Sequence, residues 1–215
     1  MSTYAASFAI ATTFQKEDMV VVDMASRIAP GVRAFTLDTG RLPEETLRMI
    51  DVTRDRYAIA VDVVHPDAAE VERMVSERGR DLFYESAENR HLCCEIRKVH
   101  PLQGKLSEFR AWATGLRRQQ SPTRAGILKV EEIDGRVRIS PLADWTIAQV
   151  DAYIQEHGVP VHPLYAQGYT SIGCAPCTRA ILPGEDERAG RWWWEENSRK
   201  ECGIHFAGDG TVKRS

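Results

Sequence analysis

Three consecutive stretches of this sequence each combine a short β-prone run with a helical one. In each pair, β-prone apolar residues come first, and apolar residues at helical spacing follow after a short loop. The pairs are residues 7–14 with 17–28, 32–37 with 43–54, and 57–64 with 67–78. This alternation predicts an α/β fold with a doubly wound, mainly parallel sheet. Such sheets bind ligands at the carboxyl ends of their strands, so we expect a nucleotide near residues 14–18 and 38–41.

The second half of the chain is less regular. Residues 89–100 and 146–157 have helical spacing, residues 109–116 resemble a strand, and Asp134-Gly135 predicts a hairpin turn. From Pro160 onward, Pro, Gly and Trp are frequent and periodicity is lost, so we expect side-chain contacts or a metal to hold this part together. We expect a single domain over residues 1–215, with a nucleotide-binding core over about residues 5–180 and a mobile catalytic tail over about residues 195–215.

Composition limits the class of protein. With 43% hydrophobic residues among 215, the chain is long enough for one core. The formal net charge of -3 comes from 28 basic and 31 acidic residues mixed along the sequence, which argues against a general nucleic-acid binder. We find neither a secretion signal nor an apolar run long enough to span a membrane. We therefore expect a cytoplasmic protein without nucleic-acid or membrane partners.

The cysteines are the strongest chemical signal. They number five and lie at positions 93, 94, 174, 177 and 202. In a reducing compartment, structural disulfides are their least expected use. Cys174 and Cys177 form a C-x-x-C turn, and Cys93 and Cys94 are adjacent, so four thiolates could complete one metal site. The spacing leaves zinc and an iron–sulfur cluster open, although adjacent cysteines are unusual for zinc. A metal-free redox C-x-x-C is a third interpretation, which leaves the adjacent pair unexplained.

Cys202 stands apart, near the end of the sequence. Arg199, Lys200 and His205 could stabilise its thiolate, and Gly203 lets the backbone approach a ligand. Most lone cysteines are inert buried residues. A position in the tail would instead let this sulfur meet two partners in turn, so we interpret Cys202 as a nucleophile.

Basic residues coincide with turns and with the cysteines. They are Arg97, Lys98, Arg117, Arg118, Arg124, Arg188 and Arg191. Taken singly, each could be solvated surface, but their positions make them candidates for binding an anion. The consecutive Trp192, Trp193 and Trp194 cannot all face one ligand, and we interpret them as a lid or an interface anchor.

Several motifs together resemble the bacterial thioredoxin-dependent adenylyl-sulfate reductases, in the sulfonucleotide reductase group. They cover residues 37–44, 93–98, 114–121, 141–145, 160–177, 184–195 and 201–206, and the resemblance extends over nearly the whole sequence. It implies an adenine-nucleotide hydrolase-like fold of the PP-loop type, with a C-terminal cluster-binding and catalytic segment. Residues 12–18 correspond to the pyrophosphate loop. They lack its paired glycines, which fits a substrate carrying phosphate–sulfate instead of diphosphate.

The resemblance also implies a site. Cys93, Cys94, Cys174 and Cys177 would hold one 4Fe-4S cluster per chain. Reductases in this group that use the 3′-phosphorylated nucleotide generally lack these cysteines. The contacts to the phosphosulfate and its surroundings would come from Lys98, Arg124, Arg188, Arg191 and His205.

The reaction implied by the resemblance is attack of the Cys202 thiolate on the sulfur of adenylyl sulfate, which gives S-sulfocysteine and AMP. Thioredoxin, or a glutaredoxin-like protein, would then release sulfite. Three alternatives remain at this point: reduction of the 3′-phosphorylated nucleotide, an ATP-dependent ligase or thiolase of the same fold, and a zinc scaffold. The chain could also form a homo-oligomer.

Overall fold

The computed structural model of the chain describes residues 7–195, 205–206 and 212–213. The helices are Lys16–Ile28 (α1), Glu44–Tyr57 (α2), Ala68–Arg78 (α3), Ala87–Cys94 (α4), His100–Leu106 (α5) and Ile147–His157 (α6). The strands are Phe8–Ala11 (β1), Ala34–Leu37 (β2), Val61–Val64 (β3), Ala111–Ala113 (β4), Val130–Ile133 (β5), Arg136–Ile139 (β6), His205–Phe206 (β7) and Val212–Lys213 (β8).

The chain divides into two units. The sheet unit comprises the residues up to Thr36, Glu44–Val63 and Leu106–Pro163, and the cysteine unit comprises Leu37–Pro43, Val64–Lys105 and the residues from Leu164 onward. Each unit is assembled from stretches that alternate along the sequence. The expectation of one domain over residues 1–215 stays a prediction.

The sheet unit confirms the predicted α/β class. Its six strands lie in the order β3-β2-β1-β4-β6-β5. Strand β1 pairs in parallel with β2 and β4, and β4 pairs in parallel with β6, whereas β5 is antiparallel to β6. At the centre, Ile10 is fully buried opposite Ala34 on one side and Ala113 on the other. Small residues on the flanking strands leave room for the branched side chains of the core.

Local sequence signals explain most element boundaries. Asp134 and Gly135 both have positive φ values, 52° and 68°, as the two-residue turn between β5 and β6 requires. Helix α6 begins after Thr146, whose side chain accepts from the Gln149 backbone N–H in a capping box. At the end of α2 the structure differs from the prediction: Tyr57 ends the helix instead of starting a strand. The helix ends there because Ala58 adopts a φ of 50°, and the strand begins only at Val61.

The cysteine unit contains one long helical stretch with an irregular centre. Helices α4 and α5 are joined by a π-helical turn at Glu95–Val99, so the helix predicted at residues 89–100 is confirmed but is not regular. After Leu164, the described chain up to residue 195 forms short turns, 3-10 segments such as Ala175–Cys177, and an isolated bridge between Thr178 and Arg191. This agrees with the loss of periodicity in the sequence.

Over the described ranges, no helix combines the length and the apolar character needed to cross a membrane.

Candidate active site

Four buried cysteines of the cysteine unit line one cavity. Cys93 and Cys94 come from the end of α4, and Cys174 and Cys177 come from the C-x-x-C turn. The remaining wall residues are Arg41, Phe83, Arg90, Arg97 and Lys98. The four sulfurs that the sequence paired by type therefore lie at one place in the fold.

This cavity differs from a single-ion metal site. Within the described part of the chain, no three His, Cys, Asp or Glu side chains are grouped so that they could hold one metal ion. Sulfurs bound to one zinc ion at about 2.3 Å must lie within about 4 Å of each other. A cluster of several irons holds its four cysteines further apart, and cysteine sulfur is the ligand that such clusters use. Four buried sulfurs around one cavity fit that donor set.

Two irregular backbone features direct the cysteines into the cavity. The π turn begins immediately after Cys94, and π turns shift the helical register at functional sites. In the other segment, Cys177 N donates to Cys174 O at 2.9 Å, which closes the C-x-x-C turn. The Thr178 hydroxyl also donates to Cys174 O, at 3.0 Å. Adjacent cysteines, which are unusual in a regular single-ion site, can thus both line the wall.

The loop at residues 38–41 supports the C-x-x-C turn. Ala175 N donates to Arg41 O at 2.8 Å, and the Thr39 hydroxyl lies 3.3 Å from Cys174 Sγ. Arg97 Nη1 donates to Thr39 O at 2.8 Å. The loop at residues 38–41, for which the sequence predicted a ligand, therefore contacts the cysteine turn directly.

Positive charge dominates the polar part of the cavity wall. Arg41 pairs with Asp81 at 2.5 Å and stacks over Phe83, with Cζ 4.8 Å from the ring centroid. Arg90 is almost fully buried and forms an ion pair of 2.5 Å with Glu195. Partners therefore fix two of the four basic side chains of the wall and compensate their charge, and Arg97 and Lys98 are the other two.

Burial and charge act in opposite directions on the thiols. Burial raises the pKa of Cys93, while the charges of Arg97 and Lys98 oppose that shift. Burial raises the pKa of Cys177 to about 12, Cys174 adds to the shift, and Lys98 and Arg191 oppose it. Thiolates in this cavity therefore need a bound positive partner, as metal ligation would provide.

Two of the predicted substrate ligands lie close to the cysteines: Lys98 lines the cavity together with Cys177, and the Arg191 guanidinium lies against Gly173. Arg191 is brought there by backbone pairing: Arg179 N donates to Gly190 O at 3.0 Å and Trp192 N donates to Cys177 O at 3.2 Å. Arg188 lies in the preceding turn, and its carbonyl accepts from Arg191 N at 2.9 Å. The structure thus brings three of the predicted basic residues into the cysteine unit.

The sheet unit contains a second candidate ligand-binding feature. It lies between β1 and β4, where the strand order reverses. Asp18 Oδ2 accepts from Thr13 N at 2.7 Å and from the Thr13 hydroxyl at 2.6 Å, while Oδ1 accepts from Gly115 N at 3.0 Å. Burial raises the pKa of Asp18, and the hydrogen bonds from Thr13 oppose the shift. Phe14, which lies between Thr13 and Asp18 in the sequence, is buried and has a φ of 59°. This loop follows a central strand at the edge where doubly wound sheets bind ligands.

Arg124 belongs to the same edge of the sheet unit. Its Nη1 donates to Gln120 Oε1 at 2.5 Å, and Gln120 Nε2 donates to Gly115 O at 3.4 Å. The Arg124 side chain is therefore connected through one residue to the loop after β4. Arg117, another basic residue noted in the sequence, is instead buried in an ion pair with Glu17 at 2.7 Å.

Two predicted site residues remain, Cys202 and His205. Cys202 and most of the tail lie outside the described residues, and for His205 only the backbone, in β7, is described. The sequence predicted a ligand at the loop of residues 38–41 but not the contacts that Thr39 and Arg41 make with the cysteine turn, and it missed Arg90. Arg90 carried a signal, since it precedes Cys93 by one helical turn. No local signal predicted that Thr39 and Arg41 contact Cys174 and Ala175, because these residues are far apart in the sequence.

The chain is similar to known proteins over most of its length. The family model described as "Phosphoadenosine phosphosulfate reductase domain" matches residues 7–180. An adenosine 5'-phosphosulfate reductase of Burkholderia cepacia is 50% identical over 198 residues, which are 91% of this chain and 79% of that protein. One of Allochromatium vinosum is 49% identical over 203 residues, covering 93% and 78%. The crystal structure of a phosphoadenylyl-sulfate reductase from Candida auris is similar with a TM-score of 0.67 and 26% identity, covering 81% of this chain and 83% of that one.

Proposed function

This chain belongs to the phosphoadenosine phosphosulfate reductase domain family, and we propose that it reduces adenylyl sulfate to sulfite and AMP in sulfate assimilation. The observation that carries the choice of substrate is the convergence of Cys93, Cys94, Cys174 and Cys177 on one cavity. Relatives at 49–50% identity are named adenosine 5'-phosphosulfate reductases, which supports the same choice. The chain is accordingly an oxidoreductase.

The proposed cofactor is one 4Fe-4S cluster held by the four cysteines. Bound there, it would supply a local charge and a rigid scaffold beside the substrate. The surrounding residues are suited to it: Arg97 and Lys98 add positive charge close to Cys93, and Thr39 offers its hydroxyl to Cys174. Because a thiolate-ligated cluster is anionic, this charge would offset the cost of burying it.

The proposed nucleophile is Cys202. Its thiolate would attack the sulfate sulfur, a bond would form from Sγ to that sulfur, and AMP would leave with the bridging oxygen. Positive side chains are needed to lower the repulsion between thiolate and sulfate and to stabilise charge on the leaving phosphate. Lys98, Arg124, Arg188, Arg191 and His205 are the proposed substrate contacts. Lys98 lines the cysteine cavity and the Arg191 guanidinium lies against Gly173, beside Cys174, which supports their assignment.

The electrons would come from a thioredoxin or a glutaredoxin-like protein. Its first thiolate attacks Cys202 Sγ and expels sulfite, and its second thiolate attacks the resulting mixed disulfide. The dithiol is thereby oxidised, and sulfur passes from the sulfate to the sulfite oxidation state. A cytoplasmic location, where such dithiols are kept reduced, is part of the proposal.

An anaerobic assay tests this function. Purified protein is given thioredoxin and either adenylyl sulfate or its 3′-phosphorylated form, and sulfite release is followed together with iron content and visible absorption. We expect strong preference for adenylyl sulfate and a broad cluster absorption. The Cys202→Ser variant should keep the absorption but lose sulfite release and the covalent adduct seen by intact mass.

Three results would contradict the proposal. Preference for the 3′-phosphorylated nucleotide would change the substrate. Zinc without iron, and no sulfite from either nucleotide, would favour a scaffold. Consumption of ATP would favour a ligase, although residues 12–18 lack the glycines of a pyrophosphate loop.

A further inference from the structure

Aromatic side chains extend from the cysteine cavity to the surface of the cysteine unit. Phe83 lines the cavity and contacts Tyr84, with ring centroids 4.6 Å apart. Tyr84 contacts Trp194 at 4.4 Å, and Trp194 contacts Trp193 at 5.7 Å, both edge-on. We call Tyr84, Trp193 and Trp194 the aromatic surface.

The outer rings of this surface are exposed. Trp193 is 48% exposed and Tyr84 is 44% exposed, whereas the neighbouring Trp192 is fully buried. The Tyr84 hydroxyl donates to Pro176 O at 3.0 Å, so the surface is fixed to the C-x-x-C turn. Packing of the core accounts for Trp192 but not for Trp193. Rigid, half-exposed Trp and Tyr side chains are the residues that most often anchor protein–protein interfaces.

We propose that the aromatic surface is the docking site of the dithiol protein that reduces the enzyme. This inference rests on the proposed function, because it takes Cys202 as the atom that the reductant must reach. Cys202 follows Glu195 by seven residues, and an extended chain of that length spans at most about 25 Å. A reductant of about 100 residues has a radius of gyration of about 13 Å and covers about 800 Å² of its partner.

These dimensions connect Cys202 with the aromatic surface. A protein whose thiolate bonds to Cys202 Sγ must have its own surface within that reach of Glu195, which directly follows Trp194. Among the described residues, the aromatic surface is an exposed apolar feature beside this point of the chain. A small dithiol such as dithiothreitol needs no docking surface. Loss of the aromatic surface should therefore slow sulfite release by thioredoxin but not by dithiothreitol.

The test separates the two half-reactions in the full-length, cluster-loaded protein. Adenylyl sulfate without reductant gives an AMP burst and the Cys202 adduct, and either thioredoxin or dithiothreitol then releases sulfite. We expect Trp193→Ala to lower kcat/KM for thioredoxin by roughly tenfold or more, as expected for an interface anchor. The AMP burst and the release by dithiothreitol should stay at the wild-type level.

Two further variants complete the comparison. Trp193→Phe keeps an aromatic ring and should lose less with thioredoxin than Trp193→Ala. Ile28→Ala removes another exposed apolar side chain, 71% exposed at the end of α1, and should behave as wild type with both reductants.

Several outcomes would overturn the proposal. Unchanged kcat/KM for thioredoxin in Trp193→Ala would mean that the surface does not bind it, and equal losses with both reductants would mean that Trp193 acts within the enzyme. A smaller oligomer in light scattering, without a selective thioredoxin effect, would identify a subunit interface. If wild-type protein itself forms neither AMP nor adduct, the proposed function is wrong and the docking proposal falls with it.

Discussion

Arg191 shows how a charged side chain is positioned by its neighbours. Its guanidinium stacks on the ring of Trp192, with Cζ 4.7 Å from the centroid, and it is 5% exposed. Gly173 leaves the space that the guanidinium occupies, since a Cβ at that position would lie 2.5 Å from Arg191 Cζ. A buried, stacked guanidinium loses little further freedom when it binds an anion, which suits a substrate ligand.

We therefore predict that Gly173→Ala weakens substrate binding more than it weakens folding. The added methyl group should displace the guanidinium, which is the end of a flexible side chain, so the KM for adenylyl sulfate should rise about tenfold or more. The free energy of unfolding should fall by only about 1–2 kcal/mol. Steady-state kinetics and urea unfolding measure the two effects.

Gly104→Ala is the matched control. Its Cβ would meet no atom within 4 Å, and the residue lies in α5, where Ala is favoured over Gly by about 0.5–1 kcal/mol. It should leave KM unchanged and stabilise slightly. An unchanged KM in Gly173→Ala would argue against Arg191 as a substrate contact.

At the scale of elements, the loops after β1 and β4 are fastened together within the sheet unit. Asp18 Oδ1 accepts a hydrogen bond from Gly115 N. A Cβ on Gly115 would lie 2.6 Å from Asp18 N, so the two backbones are in close contact. Beside them, Arg117 donates to Glu17 at 2.9 Å and to Trp145 O at 3.3 Å, which ties the start of α1 to two later segments. These contacts hold the carboxyl edge of the sheet in one geometry.

The buried ion pair gives a prediction for this edge. Arg117→Met should lower the free energy of unfolding by about 3–5 kcal/mol, because Glu17 would be left buried without its partner. The double variant Arg117→Met with Glu17→Gln should lose less than Arg117→Met alone, since no charge remains uncompensated. Urea unfolding of both variants, with Glu17→Gln as the third member of the cycle, measures the coupling. Additive losses would show that the pair is not coupled.

At the scale of the whole molecule, the two units are built on different cores. The core of the sheet unit consists of apolar residues from the strands and from α1, α2 and α6. The core of the cysteine unit includes Cys93, Cys174 and Cys177 together with Phe83 and Trp192. A ligand held by the cysteines would therefore be part of one core and absent from the other.

If the proposed cluster is bound there, this difference predicts an uneven response to its removal. If iron is removed anaerobically with a chelator, amide hydrogen exchange should accelerate in residues 82–99 and 173–178, because the binding free energy of the cluster contributes to folding there. Strands β1, β4 and β6 should keep their protection and serve as the internal control. Equal acceleration in both units, or none in either, would contradict the assignment of the four cysteines.

Local patterns determined a large part of this protein. The alternation of strand and helix, the Asp134-Gly135 turn, the capping box at Thr146 and the spacing of the cysteines all depend on residues that are neighbours in the chain. Their conformational preferences act over a few residues, so the sequence alone is sufficient to predict them. The sequence also grouped Cys93, Cys94, Cys174 and Cys177 by residue type, and in the structure these four residues line one cavity.

The tertiary structure decided what lies around those residues. Thr39 meets Cys174 across 135 positions, Arg90 meets Glu195 across 105, and Arg117 meets Glu17 across 100. It likewise separated Trp192, which is buried in the core, from Trp193, which is exposed. Such contacts arise only when distant segments pack together, because burial, and not local preference, determines which polar groups must find each other.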